Sequence, residues 1–252
     1  MSRRHFAIAL TAVMTAITIA ARPITAQVQQ SGHGFLFREP RATLTLRLGW
    51  NAANARSDLF SFATEQLTLD RNDFSSLGFD ADLAVRIRPR TRLVVSLSMS
   101  GSEKDSEFRD YLDNNDLPIE QTTSFLRMPV TVGLRQYLTM PGQSIGRLAW
   151  IPSRVAPYVG AGAGVMFYQF EQTGDFIDFE TMEVFADHFT SEKFTPTANV
   201  LAGLDYSLSA RFGLTTEARY VWARGALSRD FSGFHRLDLS GLSTSVGLTI
   251  RF

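Results

Sequence analysis

Ser240-Gly241-Leu242-Ser243-Thr244-Ser245-Val246-Gly247-Leu248-Thr249-Ile250-Arg251-Phe252 alternates without a slip. Leu242, Thr244, Val246, Leu248, Ile250 and Phe252 fall on one face, and Gly241, Ser243, Ser245, Gly247, Thr249 and Arg251 on the other. A period of two is the mark of a β-strand with one apolar side. In a soluble sandwich that side turns to a core, yet the sequence stops at Phe252 with nothing after it to cover the strand. Lipid is the expected cover.

Seven more segments share the period. They are Ala42 to Trp50, Leu77 to Arg88, Thr91 to Ser100, Ser124 to Leu138, Ala156 to Phe170, Thr197 to Ser209 and Arg211 to Ala223. The fifth is the weakest, because Gly160, Gly162 and Gly164 leave one face bare. Strands of roughly 9 to 11 residues, even in number, suit a barrel that crosses a bilayer. Long connections follow the first, third, fifth and seventh segments, whereas Pro89-Arg90 and Ser209-Ala210-Arg211 are tight turns. The link from Thr139 to Val155 breaks this rule, and its prolines mark it as a true loop. Acids crowd the second and third long connections, while Arg88, Arg90, Arg92, Arg135, Arg147, Arg154, Arg211 and Arg251 flank the short ends. The fold expected is all-β, a closed eight-stranded antiparallel up-and-down transmembrane β-barrel.

Faces opposite the apolar ones carry Arg47, Asp80, Asp82, Arg86, Arg127, Arg135, Asp205, Glu217 and Arg219. Charges alternating with Leu and Val are incompatible with a hydrophobic core, but inside a narrow barrel they pair. Eight strands enclose a space that side chains fill, so interior ion pairs and no open pore are expected. Gly160, Gly162 and Gly203 are expected to make room for the arginines. Trp50, Phe167 and Trp222 near the loop ends, and Tyr206, Phe212 and Phe252 near the turn ends, fit two interfacial aromatic bands.

The start of the chain agrees with export. Arg3 and Arg4 precede an apolar run from Phe6 to Ala21, too short for a stable spanning helix, with cleavage expected after Ala26. The expected division is a signal peptide over 1–26, a periplasmic tail over 27–41 and the barrel domain over 42–252. Ser2-Arg3-Arg4-His5-Phe6 also resembles a twin-arginine signal, a route for folded cargo that suits a membrane barrel poorly. The chain has no cysteine, so no disulfide framework holds it. Removing Arg3, Arg4 and Arg22 from 25 basic residues leaves 22 against 25 acidic ones, so no nucleic-acid partner is expected.

Arg127-Met128-Pro129-Val130-Thr131-Val132-Gly133-Leu134-Arg135, Pro157-Tyr158-Val159-Gly160-Ala161-Gly162-Ala163-Gly164-Val165, Glu217-Ala218-Arg219-Tyr220 and the closing Gly247 to Phe252 resemble small OmpA-like outer-membrane β-barrel domains. The resemblance is one of pattern over about 42–252. It implies a Gram-negative-type outer membrane, extracellular loops and periplasmic termini. It also implies that the strand carrying Val246, Leu248, Ile250 and Phe252 is the signal read by the barrel-assembly machinery. Expected partners are outer-membrane lipid, lipopolysaccharide and an extracellular ligand, with the chain itself a monomer.

A structural or surface-interaction role is the expected function, with a narrow porin-like channel and an outer-membrane lipid hydrolase as alternatives. His188 with Thr190, or His235 with Ser228, Ser232 and Asp238, lack a diagnostic catalytic spacing, so no enzyme, cofactor or metal is expected. The third long connection is the expected recognition loop, setting Phe176, Phe179, Phe185, Phe189 and Phe194 among acids. The plainer expectation is that flanking strands extend and pack these rings on one another.

Overall fold

The computed structural model describes residues 34–112, 116–146, 149–178, 181 and 183–252, so the expected signal peptide and residues 27–33 of the expected tail lie outside it. The described residues form strands β1 (Ala42–Ala53), β2 (Ser76–Arg88), β3 (Thr91–Leu112), β4 (Pro118–Tyr137), β5 (Gly142–Ile145), β6 (Ala149–Pro152), β7 (Val155–Ile177), β8 (Val184–Ser207), β9 (Phe212–Gly225), β10 (Leu237–Asp238) and β11 (Gly241–Arg251), with one α-helix, α1 (Asp58–Gln66). Short 3-10 turns occupy Arg71–Phe74 and Arg229–Phe231.

Nine strands make one sheet in the order β10-β9-β11-β1-β2-β3-β4-β7-β8, and β5 with β6 makes a second. β8 also pairs with β9, from Thr197 opposite Ala223 to Ser207 opposite Gly213. β9 therefore has three partners, β11, β8 and the two-residue β10. The expectation of an even, closed, eight-stranded barrel is corrected to eleven strands in two sheets, the larger of them nine-stranded. Two local features cause the difference. Leu237 is fully buried and anchors β10 against Gly225. The Thr139 to Val155 link, expected to be a plain loop, folds as the β5–β6 hairpin, whose Trp150 exchanges main-chain hydrogen bonds of 2.8 and 2.9 Å with Leu36. Gly142 is required there, since any side chain would enter the Trp150 ring.

The second and third long connections are also corrected. β3, β4, β7 and β8 run for 22, 20, 23 and 24 residues, about twice what a crossing needs. Their distal halves stand beyond the apolar belt as paired hairpins. Alternation fades there because both faces are polar around Glu103, Lys104 and Asp105, but main-chain pairing continues.

Exposure along the sheet is inverted relative to a water-soluble protein. Leu77, Phe79, Leu83, Val85 and Ile87 of β2 are exposed, while Gly78, Asp80, Asp82 and Ala84 between them are buried. The same inversion holds for Leu46, Leu48 and Trp50 of β1 and for Leu242, Val246 and Leu248 of β11. From Leu77 to Ile87 the strand climbs about 33 Å at ~3.3 Å per residue. Tilted by ~40°, that is about 25 Å, the height of a lipid-facing band.

The apolar core lies instead at the end that holds α1. Leu59, Phe60 and Ala63 form one buried helical face, Asp58 sits favourably in the first turn, and the helix ends where Leu67 turns to extended backbone. Phe60 meets the rings of Phe74, Phe125 and Phe170 at centroid distances of 4.6, 5.3 and 5.7 Å. Leu67, Leu69, Phe108, Ile119, Phe231 and Leu237 belong to the same cluster. It caps the inner face of the sheet.

Candidate functional site

Beneath the cap, five charged side chains from four strands meet. Arg47 Nη1 donates to Asp82 Oδ2 at 2.9 Å, and its Nη2 to Glu217 Oε1 at 3.2 Å. Arg135 Nη2 reaches Asp82 at 2.7 Å and Glu217 at 3.1 Å. Arg219 Nη2 lies 2.8 Å from Glu217 and 3.4 Å from Asp82. The side chains of Arg47 and Asp82 are 0% exposed. Three guanidinium groups thus share two carboxylates in a site where each side chain is at most 5% exposed, and pairing must offset a large desolvation cost.

Arg47 of β1 and Glu217 of β9 are two strands apart, with β11 between them. Arg47 crosses because the inner face of β11 offers only Ser245 and Gly247 at that level, opposite Gly49 and Arg47. Ser245 Oγ also accepts a hydrogen bond from Arg47 Nε at 3.2 Å. The small residues of the Ser240 to Phe252 stretch are the space through which the cluster joins.

Period two does not reveal the role of Tyr158, whose hydroxyl donates to Glu217 Oε2 at 2.9 Å and whose ring centroid lies 4.3 Å from the Arg135 guanidinium carbon. The available signal is Gly203, opposite both Tyr158 and Glu217 on the register, where a Cβ would strike the tyrosine ring. Gly203 accommodates this tyrosine. At Gly160 and Gly162 the nearest atoms belong to β4 main chain and to Leu201 and Asn199, not to an arginine.

The other sequence candidates lie elsewhere. Asp205 is buried and accepts from the Tyr137 and Thr215 hydroxyls, each at 2.6 Å. Arg127 is buried, donates to Leu239 O at 3.3 Å and lies over Phe125, with no ion pair among the described residues. Asp80 is buried opposite Arg47 on the register and likewise forms no ion pair among the described residues. Arg86 pairs with Glu39 at the periphery. Arg92, Arg135 and Arg251, expected on the basic rim, are turned inward, whereas Arg88, Arg90, Arg154 and Arg211 are exposed at that end. Arg147 is outside the described residues.

In the β7–β8 hairpin, Phe176 packs on Phe185 and Phe189, and Phe189 on Phe231. Phe194, 72% exposed, lies beside Phe167 on the outer face. Phe179 lies outside the described residues. Val246, Leu248 and Phe252 are exposed and Ile250 is partly buried.

His188 and His235 make other contacts than the catalytic pairings weighed from the sequence. His188 Nδ1 is 2.7 Å from Thr173 Oγ1 and its Nε2 is 3.2 Å from Glu171. His235 joins α1: its main-chain N–H donates to Asp58 Oδ2 at 2.8 Å, and its Nδ1 lies 2.7 Å from the same oxygen. The N–H of His235 holds the Asp58 carboxyl below its usual range. A carboxylate whose pKa falls on folding adds stability above its unfolded value, ~3.9, and loses it as pH drops through the lowered folded value. Protection of the Leu59–Ala63 amides, each rate taken relative to its intrinsic rate at the same pH, is therefore expected to fall on acidification below about pH 4, and Asp58→Asn to remove that fall. Protection that stays constant across this pH range in the unaltered chain would reject the tether.

Neither a family model nor a curated protein matches the sequence. Among solved structures, the outer membrane protein OprG from Pseudomonas aeruginosa is similar with a TM-score of 0.50 at 10% identity, covering 86% of this chain and 98% of that one. Neisserial surface protein A gives 0.45 at 12% identity, covering 84% and 96%. Ail of Yersinia pestis gives 0.42 at 15% identity, covering 85% and 100%. These matches do not single out an OmpA-like family, so that resemblance is corrected to a broader one. The chain has a β-rich fold of the kind found in outer-membrane proteins.

Proposed function

We propose that the chain is an integral outer-membrane protein with a structural or surface-interaction role, seated with its apolar belt in lipid and α1 on the extracellular side. The observation that carries this reading is the inverted sheet, with exposed Leu, Val, Phe and Trp around buried Arg, Asp and Glu. No soluble partner of ordinary size covers a belt that extends to β1, β2, β9 and β11 alike, whereas lipid does. The interior is filled by the charge cluster and capped by Phe60 and its neighbours, so the protein conducts no solute. Lipopolysaccharide and lipid contact the belt, the run Val246 to Phe252 serves the assembly machinery, and the β7–β8 hairpin is the surface offered to an extracellular partner.

The reading includes no enzymatic activity. Thr173, His188 and Glu171 form a hydroxyl–imidazole–carboxylate chain, but they lie on the exposed β7–β8 strand pair, whose ladder engages the neighbouring main chain. An acyl-transfer site also needs N–H donors aimed at a developing oxyanion.

Heat-modifiable migration after refolding in detergent and insertion into vesicles are the expected results, with no unitary steps in planar bilayers. Reproducible open steps would replace the filled interior with the narrow-channel reading. Solubility in plain buffer without detergent would remove the membrane reading altogether.

A further inference from the structure

The outer face of β9 climbs through Phe212, Leu214, Thr216, Ala218, Tyr220, Trp222 and Arg224. Phe212 to Trp222 covers the same number of residues as Leu77 to Ile87 on β2, about 25 Å of bilayer height. Trp222, 48% exposed, therefore stands at the loop-side edge of the belt, and Arg224 stands one step into the headgroup layer. On the neighbouring top of β1, Asn54 and Arg56 reach over the same edge. A cavity of about 510 Å³ opens between them, lined among others by Asn54, Arg56, Tyr220, Trp222, Arg224 and Asp238.

Several features of this cavity favour an anion. Neither Arg56 nor Arg224 has an ion pair among the described residues. The carboxylate that lines it, Asp238, is opposite Arg224 on the register and accepts the Ser240 N–H at 3.1 Å, which leaves an excess of positive charge. Asn54 Nδ2 donates to the Tyr220 hydroxyl at 2.7 Å, so the phenolic proton is free to donate in turn. Ala55 is buried and holds a left-handed φ of 47°, uncommon for a residue with a side chain. That turn sends Arg56 outward while Leu59 and Phe60, just beyond it, enter the cap. Strain of this kind persists where surrounding structure fixes it and clusters at binding sites.

We propose that this cavity binds a phosphate monoester on the headgroup of an outer-leaflet glycolipid. Arg56 and Arg224 hold the phosphoryl oxygens through charge-assisted, fork-like hydrogen bonds. Tyr220 and Trp222, with ring centroids 4.8 Å apart, present an apolar wall to the sugar and acyl portions. The wall is what points to lipid rather than free phosphate: it is continuous with the belt, at the depth where amphipathic rings settle. The site rests on the outer-membrane reading.

The test uses the full mature chain refolded in detergent micelles, titrated with bisphosphorylated lipid A, with its dephosphorylated form and with inorganic phosphate, bound lipid being read by native mass spectrometry. Dephosphorylation is expected to weaken binding by about tenfold or more, since two charge-assisted contacts are lost. The double variant Arg56→Ala, Arg224→Ala is expected to bind both lipids alike, and Arg56→Lys, Arg224→Lys to keep part of the preference. Both side chains replaced are exposed, and unchanged heat-modifiable migration verifies folding; a variant that migrates as unfolded is replaced by Arg224→Ala alone. Equal binding of the two lipids by the unaltered chain overturns the site. Saturation by inorganic phosphate at the same concentration overturns the lipid source. If the chain fails to enter vesicles, the outer-membrane reading falls and takes the site with it; if it enters and does not discriminate, only the site falls.

Discussion

Replacing Asp82 by Asn is expected to destabilise the folded sheet by about 3–5 kcal/mol, the scale for removing one partner of a buried ion pair. The shape of the side chain is kept and its charge is lost, so the effect isolates electrostatics. Asp82 accepts from Arg47 and Arg135 on one oxygen and faces Arg219 with the other. In its absence three guanidinium groups share Glu217 alone. Arg47 and Arg135 lie at 0% and 2% exposure, so water offers them little compensation. Urea unfolding in lipid vesicles, followed by tryptophan fluorescence, measures the change. A loss under about 1 kcal/mol, the range of exposed pairs, would mean that water penetrates the cluster and that the interior is not filled. Combining Asp82→Asn with Arg47→Met is expected to recover part of the loss, because one unpaired cation is removed along with its partner.

Phe60→Ala is the second large effect, with an expected cost of about 3–5 kcal/mol for truncating a buried phenylalanine. Phe60 is fully buried and touches three other rings, from the 3-10 turn, β4 and β7. Its consequence differs from that of Asp82→Asn because α1 belongs to a connection, not to the sheet. The cap opens locally while the ladder of the belt stays paired. Limited proteolysis of the protein in vesicles is expected to cut within 57–74 at a rate raised by one hundredfold or more, as about 3 kcal/mol implies, with heat-modifiable migration unchanged. Phe194→Ala, at an exposed ring on the outer face, serves as the contrast and is expected to change the rate little. Global unfolding of Phe60→Ala would show instead that cap and belt form one cooperative unit.

These two sites mark what alternation reveals and what it hides. β1, β2, β9 and β11 are legible because each apolar residue has a small or charged neighbour, so their faces separate at once. The face that carries Arg47, Asp82, Arg135, Glu217 and Arg219 is legible for the same reason. Which of them meet is not, because that depends on distances across the sheet, set by register and by the size of intervening residues such as Ser245 and Gly247. The distal halves of β3, β4, β7 and β8 are illegible for a different reason: polar residues on both faces erase the contrast that period two requires. α1 is a third case. Leu59, Phe60, Ala63 and Leu67 do carry helical spacing, but nine residues give too few turns to stand out from a connection rich in Ser, Asp and Asn.

The crossing of Arg47 over the small inner face of β11 also constrains the time course of folding. Arg47 and Glu217 are 170 residues apart in the chain, and the Thr45–Thr249 hydroxyl pair is 204 apart. Contacts of such separation form late, after most of the loop entropy has been spent. Until β1 has paired with β11, the arginines and carboxylates of the inner face remain hydrated. The water expected to leave as these strands meet is the water that solvates those charges in the unfolded chain. Dehydration of the cluster is thus expected late in assembly, and a kinetic probe on Arg47 or Glu217 is expected to report completion rather than nucleation.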